Sequence, residues 1–158
     1  LSDLRDLRVF LHKTAQRYPC SWSDATLREH LHVMPLNCLP SPRATMLWIH
    51  RQEDRVWRSR GGRPSHETAA SFLAFLDGAL PGMVVLCGEG SEAAIVAYVV
   101  GELTGQEYEI VCAWVHEAFR GLGLALSLYS GIARRSPVPV LACDVVLGAA
   151  DRLAKALP

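Results

Sequence analysis

Apolar and polar positions are patterned most regularly in the second half of the chain. Met83–Cys87 and Ala93–Leu103 are nearly continuous apolar, β-branched runs separated by Gly88-Glu89-Gly90-Ser91. Runs of this length bounded by glycine predict two strands joined as an antiparallel hairpin. Thr104-Gly105-Gln106 marks a second turn, and Glu107–Val115 predicts a third strand. Alternate residues of a strand share a face, which would put Glu107, Glu109, Val111, Ala113 and Val115 on one side. The period then lengthens to that of a helix from about Leu122 to Arg135. Pro137 and Pro139 bracket a short strand, Val138–Cys143, and Leu147–Leu157 predicts a final amphipathic helix. The expected order is β-β-β-α-β-α, an antiparallel meander feeding a crossover.

The first half is patterned less clearly. Residues 3–17 carry Leu4, Leu7, Val9, Leu11 and Ala15 among charges, which suits a helix or a strand leading into one. Ser23 can cap a short helix through Leu31, with Leu27 and Leu31 on one face. Pro35, Pro40 and Pro42 predict a loop, Thr45–His50 a strand, and Arg51–Pro64 a polar, arginine-rich stretch. Ser65 is placed to cap a helix running to about Leu76, with Phe72, Leu73, Phe75 and Leu76 as its buried face. Asp77-Gly78 and Pro81-Gly82 stop it.

Composition narrows the class. A chain of 158 residues, 50% apolar and 20% charged, suits one domain with a core of its own. The formal charge of zero gives no general attraction to nucleic acid or to an anionic membrane. The Arg-over-Lys bias carries no functional weight. The five cysteines (Cys20, Cys38, Cys87, Cys112, Cys143) stand at long, unequal spacings without a C-x-x-C pair. This excludes a regular disulfide framework and a zinc site, and no metal is expected. No apolar run approaches the roughly 18–20 residues of a membrane span, and no signal peptide opens the sequence, so a cytoplasmic protein is expected. Leu1 at the start leaves open a processed product or an excised domain.

The candidate chemistry lies where the third strand meets its helix, at Val115-His116-Glu117-Ala118-Phe119-Arg120-Gly121-Leu122-Gly123-Leu124-Ala125. Gly121 and Gly123 let the backbone come close to a ligand, and the helix that follows offers unpaired N–H groups and the positive end of its dipole. Such a loop can bind an anion, or it can be a glycine-rich turn with no ligand. It is neither a Walker loop nor a dinucleotide fingerprint.

Val115, Arg120, Gly123 and Ala125 match V-x-x-x-x-[QR]-x-x-G-x-[GA], and the loop therefore resembles the pyrophosphate loop of the GNAT N-acyltransferase superfamily. Phe119-Arg120-Gly121 matches the aromatic-Arg-Gly frequent there, and the predicted order over residues 83–157 follows that fold. The resemblance implies a GNAT-like α/β domain with a mixed, largely antiparallel central sheet and flanking helices. It implies acetyl-CoA or another acyl-CoA as co-substrate and an amine as acceptor. Ala113, Trp114 and Val115 would then meet the pantetheine arm. Arg120, Gly121, Leu122, Gly123, Leu124 and Ala125 would hold the pyrophosphate. Residues 1–80 would be the variable N-terminal part.

Three departures bear on catalysis. Glu117 stands where the family often has proline. Aligning Ala150 and Leu153 on the family's N-x-x-A-x-x-L-Y pattern puts Ala154 at the tyrosine that protonates the thiolate, and Leu147 at the asparagine. The sequence stops at Pro158, two strands short of the family pattern, and a partner segment, most simply from a second copy of the chain, is expected to cover the exposed edge.

For the general base, the resemblance points to a glutamate on the third strand, with Glu109 first and Glu107 second. Both can equally be solvated carboxylates at a hairpin exit. His116 is a further titratable candidate or a capping residue, and Tyr129 an acid or a packing aromatic. Arg51, Arg55, Arg58, Arg60 and Arg63 can bind an acidic partner or the 3′-phosphate of coenzyme A, or can be a solvated loop. The readings that follow are an acyl-CoA-dependent N-acyltransferase and a non-catalytic module of the same fold that binds acyl-CoA or a protein.

Overall fold

In a computed structural model the described residues are 29–64, 67–88, 93–138 and, as backbone, 140–142. The elements expected at residues 3–17 and 147–157, the start of the helix expected from Ser23, and Ala154 lie outside them. Five strands form one sheet in sequence order: β1 (Leu31–Pro35), β2 (Gly82–Cys87), β3 (Ala94–Thr104), β4 (Glu107–Val115) and β5 (Val140–Ala142). β1 to β4 are antiparallel neighbours and β5 joins β4 in parallel. The predicted meander and crossover are present, with β1 as an additional strand.

Helices cover both faces. α1 (Pro42–Gly61) and α2 (Ala69–Ala74) lie on one face and α3 (Leu124–Arg135) on the other. On the α3 face, Met83, Val85, Val99, Tyr108 and Ile110 meet Leu128, Tyr129 and Ile132. On the α1 face, Val84, Ile95, Tyr98 and Val100 meet Met46, Trp48, Ile49, Phe72 and Phe75. β2 and much of β3 are buried on both sides, which is why their sequences read as continuous apolar runs rather than as alternation.

The strand expected at Thr45–His50 is instead the middle of α1. Pro42 opens this helix rather than ending a loop: it occupies the first turn after Ser41, where its missing N–H has no helical partner to lose. Thr45, Met46, Trp48, Ile49 and Glu53 then form the buried stripe at helical spacing. The arginine-rich stretch expected to be a loop continues the helix along its exposed side. Gly62, at φ +67°, ends α1 and donates to Arg58 O at 2.8 Å. Thr68, not Ser65, caps α2, its Oγ1 accepting from the Ser71 amide at 3.1 Å.

The faces of β4 also differ from expectation. Register shifts after Val100, so that Val100 faces Cys112 while Gly101 faces Ile110, and Val111 is an extra residue. This β-bulge reverses the alternation. Tyr108, Ile110 and Val115 pack toward α3, whereas Val111, Cys112 and Trp114 pack toward α1. Glu107 and Glu109 therefore share a side with Trp114, not with Ala113 and Val115. Gly101 lies at the bulge, where a Cβ would come within 2.5 Å of both Glu109 O and the Tyr108 ring.

Candidate functional site

The loop from His116 to Gly123 is fixed to the protein by alternate residues. Phe119, Leu122 and Leu124 are buried in the α3-side core, while Arg120, Gly121 and Gly123 are exposed. Burying a Phe or Leu side chain contributes about 1.5–3 kcal/mol, enough to hold a short loop in one conformation. His116 caps the turn Glu117–Phe119, its Nδ1 accepting from the Ala118 amide at 3.1 Å. Half-burial holds this imidazole below its ordinary pKa; Glu117 opposes that shift and Arg120 adds to it. The ring is therefore neutral at neutral pH and free to accept at Nδ1, which is the capping role and not that of a charged ligand. Arg120 Nε donates back to Val115 O at 3.4 Å.

Gly121 and Gly123 take φ values of +82° and +77°, conformations that L side chains rarely adopt. A Cβ built on either meets no atom of the chain within 4 Å. The glycines thus serve the backbone's turn, and the space above them is open. α3 begins at Leu124, and its first internal bond runs from the Ser127 amide to Gly123 O at 3.0 Å. Among the described residues, the amides from Gly121 through Leu126 have no hydrogen-bond acceptor. Converging amides at the positive end of a helix form a site for an anion.

Directly before the loop, β4 is paired with β3 along its length, but its pairing with β5 covers only Tyr108–Ile110. Among the described residues, the other edge of Val111–Val115 is unpaired. Ala113, Trp114 and Val115 stand on this edge, between the sheet and the loop. The residues read from the sequence as donor-binding therefore form one continuous stretch of backbone.

The carboxylates on β4 are more peripheral. Glu107 is exposed beside the hairpin turn. Glu109 is half-buried and stands opposite Glu102 of β3 and Leu141 of β5 in the register. Tyr129 is fully buried on α3 with its hydroxyl unbonded among the described residues, and burial pushes its pKa to about 12. Packing explains its ring; nothing in the structure explains the unpaired hydroxyl.

A second cluster was not anticipated. Glu53 of α1 is 6% exposed and accepts a hydrogen bond from Tyr98 Oη of β3 at 2.5 Å. The Tyr98 ring stacks on Trp114 at 5.4 Å, and Trp48 meets both edge-on, at 6.1 and 5.9 Å. Trp114 in turn contacts His116 at 5.8 Å, joining this cluster to the loop. Burial pushes the Glu53 carboxyl above its ordinary pKa, against the opposing effects of the Tyr98 bond and the Arg60 charge. Burial together with the nearby Glu53 and Glu67 charges pushes the Cys112 thiol well up. Reading α1 as a helix would have exposed Glu53 in the sequence, since it falls four residues after Ile49 on the apolar stripe.

This is an α/β fold with a glycine loop of unbonded amides at the end of a strand whose pairing with β5 stops, among the described residues, at Ile110. Among solved structures, an assigned acetyltransferase from Deinococcus radiodurans R1 is similar over 84% of each chain, with 17% identity and a TM-score of 0.50. A protein assigned to the GNAT acetyltransferase family, from Staphylococcus aureus subsp. aureus, shares 12% identity over 66% of this chain and 88% of its own, at a TM-score of 0.47. An aminoglycoside acetyltransferase from an uncultured soil metagenomic sample shares 19% over 74% and 80%, at 0.40. No protein-family model matches the sequence, and no curated protein matches it. At these identities the likeness is one of fold: the chain shares an α/β fold with the Deinococcus radiodurans acetyltransferase. No helix among the described residues is long and apolar enough to cross a membrane.

Proposed function

We propose that the protein is an acyl-CoA-dependent N-acyltransferase whose donor site is the loop Arg120–Ala125 together with Ala113–Val115 of β4. The observation that carries this reading is the run of unbonded amides around Gly121 and Gly123, with open space above both glycines. A pyrophosphate there would accept from those amides and gain from the helix dipole, with no desolvated positive side chain required. The unpaired edge of β4 offers backbone groups to the pantetheine amides, which directs the thioester toward the Trp114 end of the strand.

Transfer needs an acceptor nitrogen that has lost a proton and is held against the thioester carbonyl. The nitrogen attacks that carbon, a C–N bond forms, the C–S bond breaks, and the thiolate takes up a proton. β4 offers Glu109, and at its exposed end Glu107, as carboxylates for the deprotonation. Ala154 at the position of the family's tyrosine favours a second reading, a module of this fold that binds acyl-CoA without turning it over.

Calorimetric titration with acetyl-CoA and with CoA, followed by thiol release in the presence of primary amines, tests both. Binding with turnover supports the enzyme, and binding without turnover supports the module. No binding of either nucleotide removes the reading altogether.

A further inference from the structure

From the cluster on the α1 face we infer that Glu53, held by Tyr98 beside Trp114 and Trp48, is the carboxylate that receives the acceptor's ammonium and takes its proton, in preference to Glu109. The inference rests on the acyltransferase reading for its reaction, but not for its test of binding.

The geometry has three parts. First, the carboxyl is under-used. It is almost wholly buried, yet one bond, from Tyr98 Oη to Oε1, is its complete hydrogen-bond complement among the described residues. An ionised carboxylate has about four acceptor sites, so Glu53 has room for a further donor. Second, its surroundings are aromatic. The Tyr98 ring that bonds it stacks on Trp114, and Trp48 meets both rings edge-on. Third, its place is right. Trp114 is half-buried on the part of β4 whose outer edge is unpaired among the described residues, two residues before His116 and the loop. Glu109 lies beyond the bulge, opposite another carboxylate.

The charged and titratable groups packed around Glu53 are Tyr98 from β3, Cys112 from β4 and Arg60 further along α1. Glu67, ahead of α2, acts on Cys112, and its carbonyl accepts from His50 of α1 at 3.0 Å. Burial, Glu53 and Cys112 push Tyr98 well up, so it remains a donor and keeps Oε1 oriented. The raised pKa of Glu53 suits a group that must hold a proton briefly near neutrality. In the step, R–NH3⁺ gives one proton to Glu53, and the freed amine attacks the thioester. The second nitrogen proton leaves with the thiolate as the C–S bond breaks, and Glu53 returns its proton to solvent.

The test compares the parent with Glu53→Gln, Tyr98→Phe and Glu109→Gln, using n-butylamine, spermidine and a peptide with a free N-terminus. For Glu53→Gln, kcat/KM for amine should fall roughly 10²–10⁴-fold with acetyl-CoA affinity within about twofold of the parent. The parent's pH profile should be bell-shaped, rising as Glu53 ionises and falling as the amine loses its charge in solution. Glu53→Gln should lose the lower limb and climb through the amine's own pKa. Tyr98→Phe, which keeps the stacked ring, should lose about five- to tenfold. A folded Glu53→Gln with the parent's rate and profile, or loss of the lower limb in Glu109→Gln instead, overturns the inference. If the parent releases no thiol with any amine, n-butylammonium should still raise the thermal midpoint of the parent and not of Glu53→Gln. Equal shifts in the two proteins overturn it as well.

Discussion

Replacing Gly123 separates the glycine that a turn requires from the glycine that a ligand requires. Gly123 and Gly105 make a matched pair: φ is +77° and +62°, and a Cβ on either meets no atom within 4 Å. Gly105 lies in the β3–β4 hairpin turn, away from the loop. Forcing alanine into this backbone region costs about 1–2 kcal/mol at each site. For a domain of this size that lowers the thermal midpoint by about 2–8 °C, and by the same amount in Gly105→Ala and Gly123→Ala. Only at position 123 does the methyl group occupy the space assigned to a phosphate. Gly123→Ala should therefore weaken CoA about tenfold, equal to about 1.4 kcal/mol, while Gly105→Ala leaves affinity unchanged. Gly123→Glu adds a like charge; at about 4 Å and an effective dielectric of about 20 the repulsion is about 4 kcal/mol, so binding should be lost. Differential scanning calorimetry and calorimetric titration of the three folded variants give both quantities. If Gly123→Ala binds CoA as Gly105→Ala does, the open space above the loop is not a phosphate site.

Tyr129→Phe should be neutral or stabilising, by up to about 1–3 kcal/mol in denaturant unfolding, because it removes a buried hydroxyl without a partner among the described residues. Clear destabilisation would mean that the hydroxyl has a partner. Glu109→Gln should raise stability by about 0.2–1 kcal/mol by relieving the carboxylate opposite it, and a double-mutant cycle with Glu102→Gln should remove that gain. Glu53 holds its proton more tightly folded than unfolded, so its contribution to stability is fully present below the unfolded carboxylate pKa and is lost as pH rises through the raised folded value. Unfolding free energies measured from pH 4 to 8 should therefore decline more steeply in the parent than in Glu53→Gln, and parallel curves would refute the assignment.

The second half of the fold was legible because its constraints are local. Gly105 specifies the hairpin turn, β-branched runs specify strands buried on both faces, and Gly121 and Gly123 specify a tight turn into a helix. Each is decided within a few residues of sequence. In the first half the largest difference turns on one residue. Pro42 breaks a helix from within but opens one at its first turn, and only the stripe of Met46, Ile49 and Glu53 beyond it tells the two apart. Reading Thr45–His50 as a strand puts Glu53 in a loop and hides its place on the buried face. Tyr98 was hidden differently. It lies in an unbroken apolar run where nothing local marks one aromatic as carrying a hydrogen bond to a residue 45 positions earlier.

The bulge in β4 is what brings together the loop and the Glu53 cluster, the proposed donor and acceptor sides. With regular alternation, Trp114 would fall on the same face as Tyr108 and Ile110 and be buried beneath α3, while Val115 would sit with Glu107 and Glu109. The extra residue, Val111, exchanges them. Val115 then packs with the core that anchors Phe119 and Leu122, fixing the loop's height at the end of the strand. Trp114 turns to stack on Tyr98, and through it meets Glu53 on the opposite layer. Neither partner could be read from strand periodicity, because periodicity assigns every β4 residue beyond the bulge to the wrong side. Gly101 permits the arrangement. With only 2.5 Å between its missing Cβ and both Glu109 O and the Tyr108 ring, any side chain there would push the strands apart at the bulge. Gly101→Ala should accordingly cost at least the roughly 1–3 kcal/mol of an overpacked core. It should also disturb Trp114 fluorescence, although Trp114 is paired with Tyr98 and not with Gly101. A Gly101→Ala protein with parental stability and emission would show that the register shift does not depend on this contact.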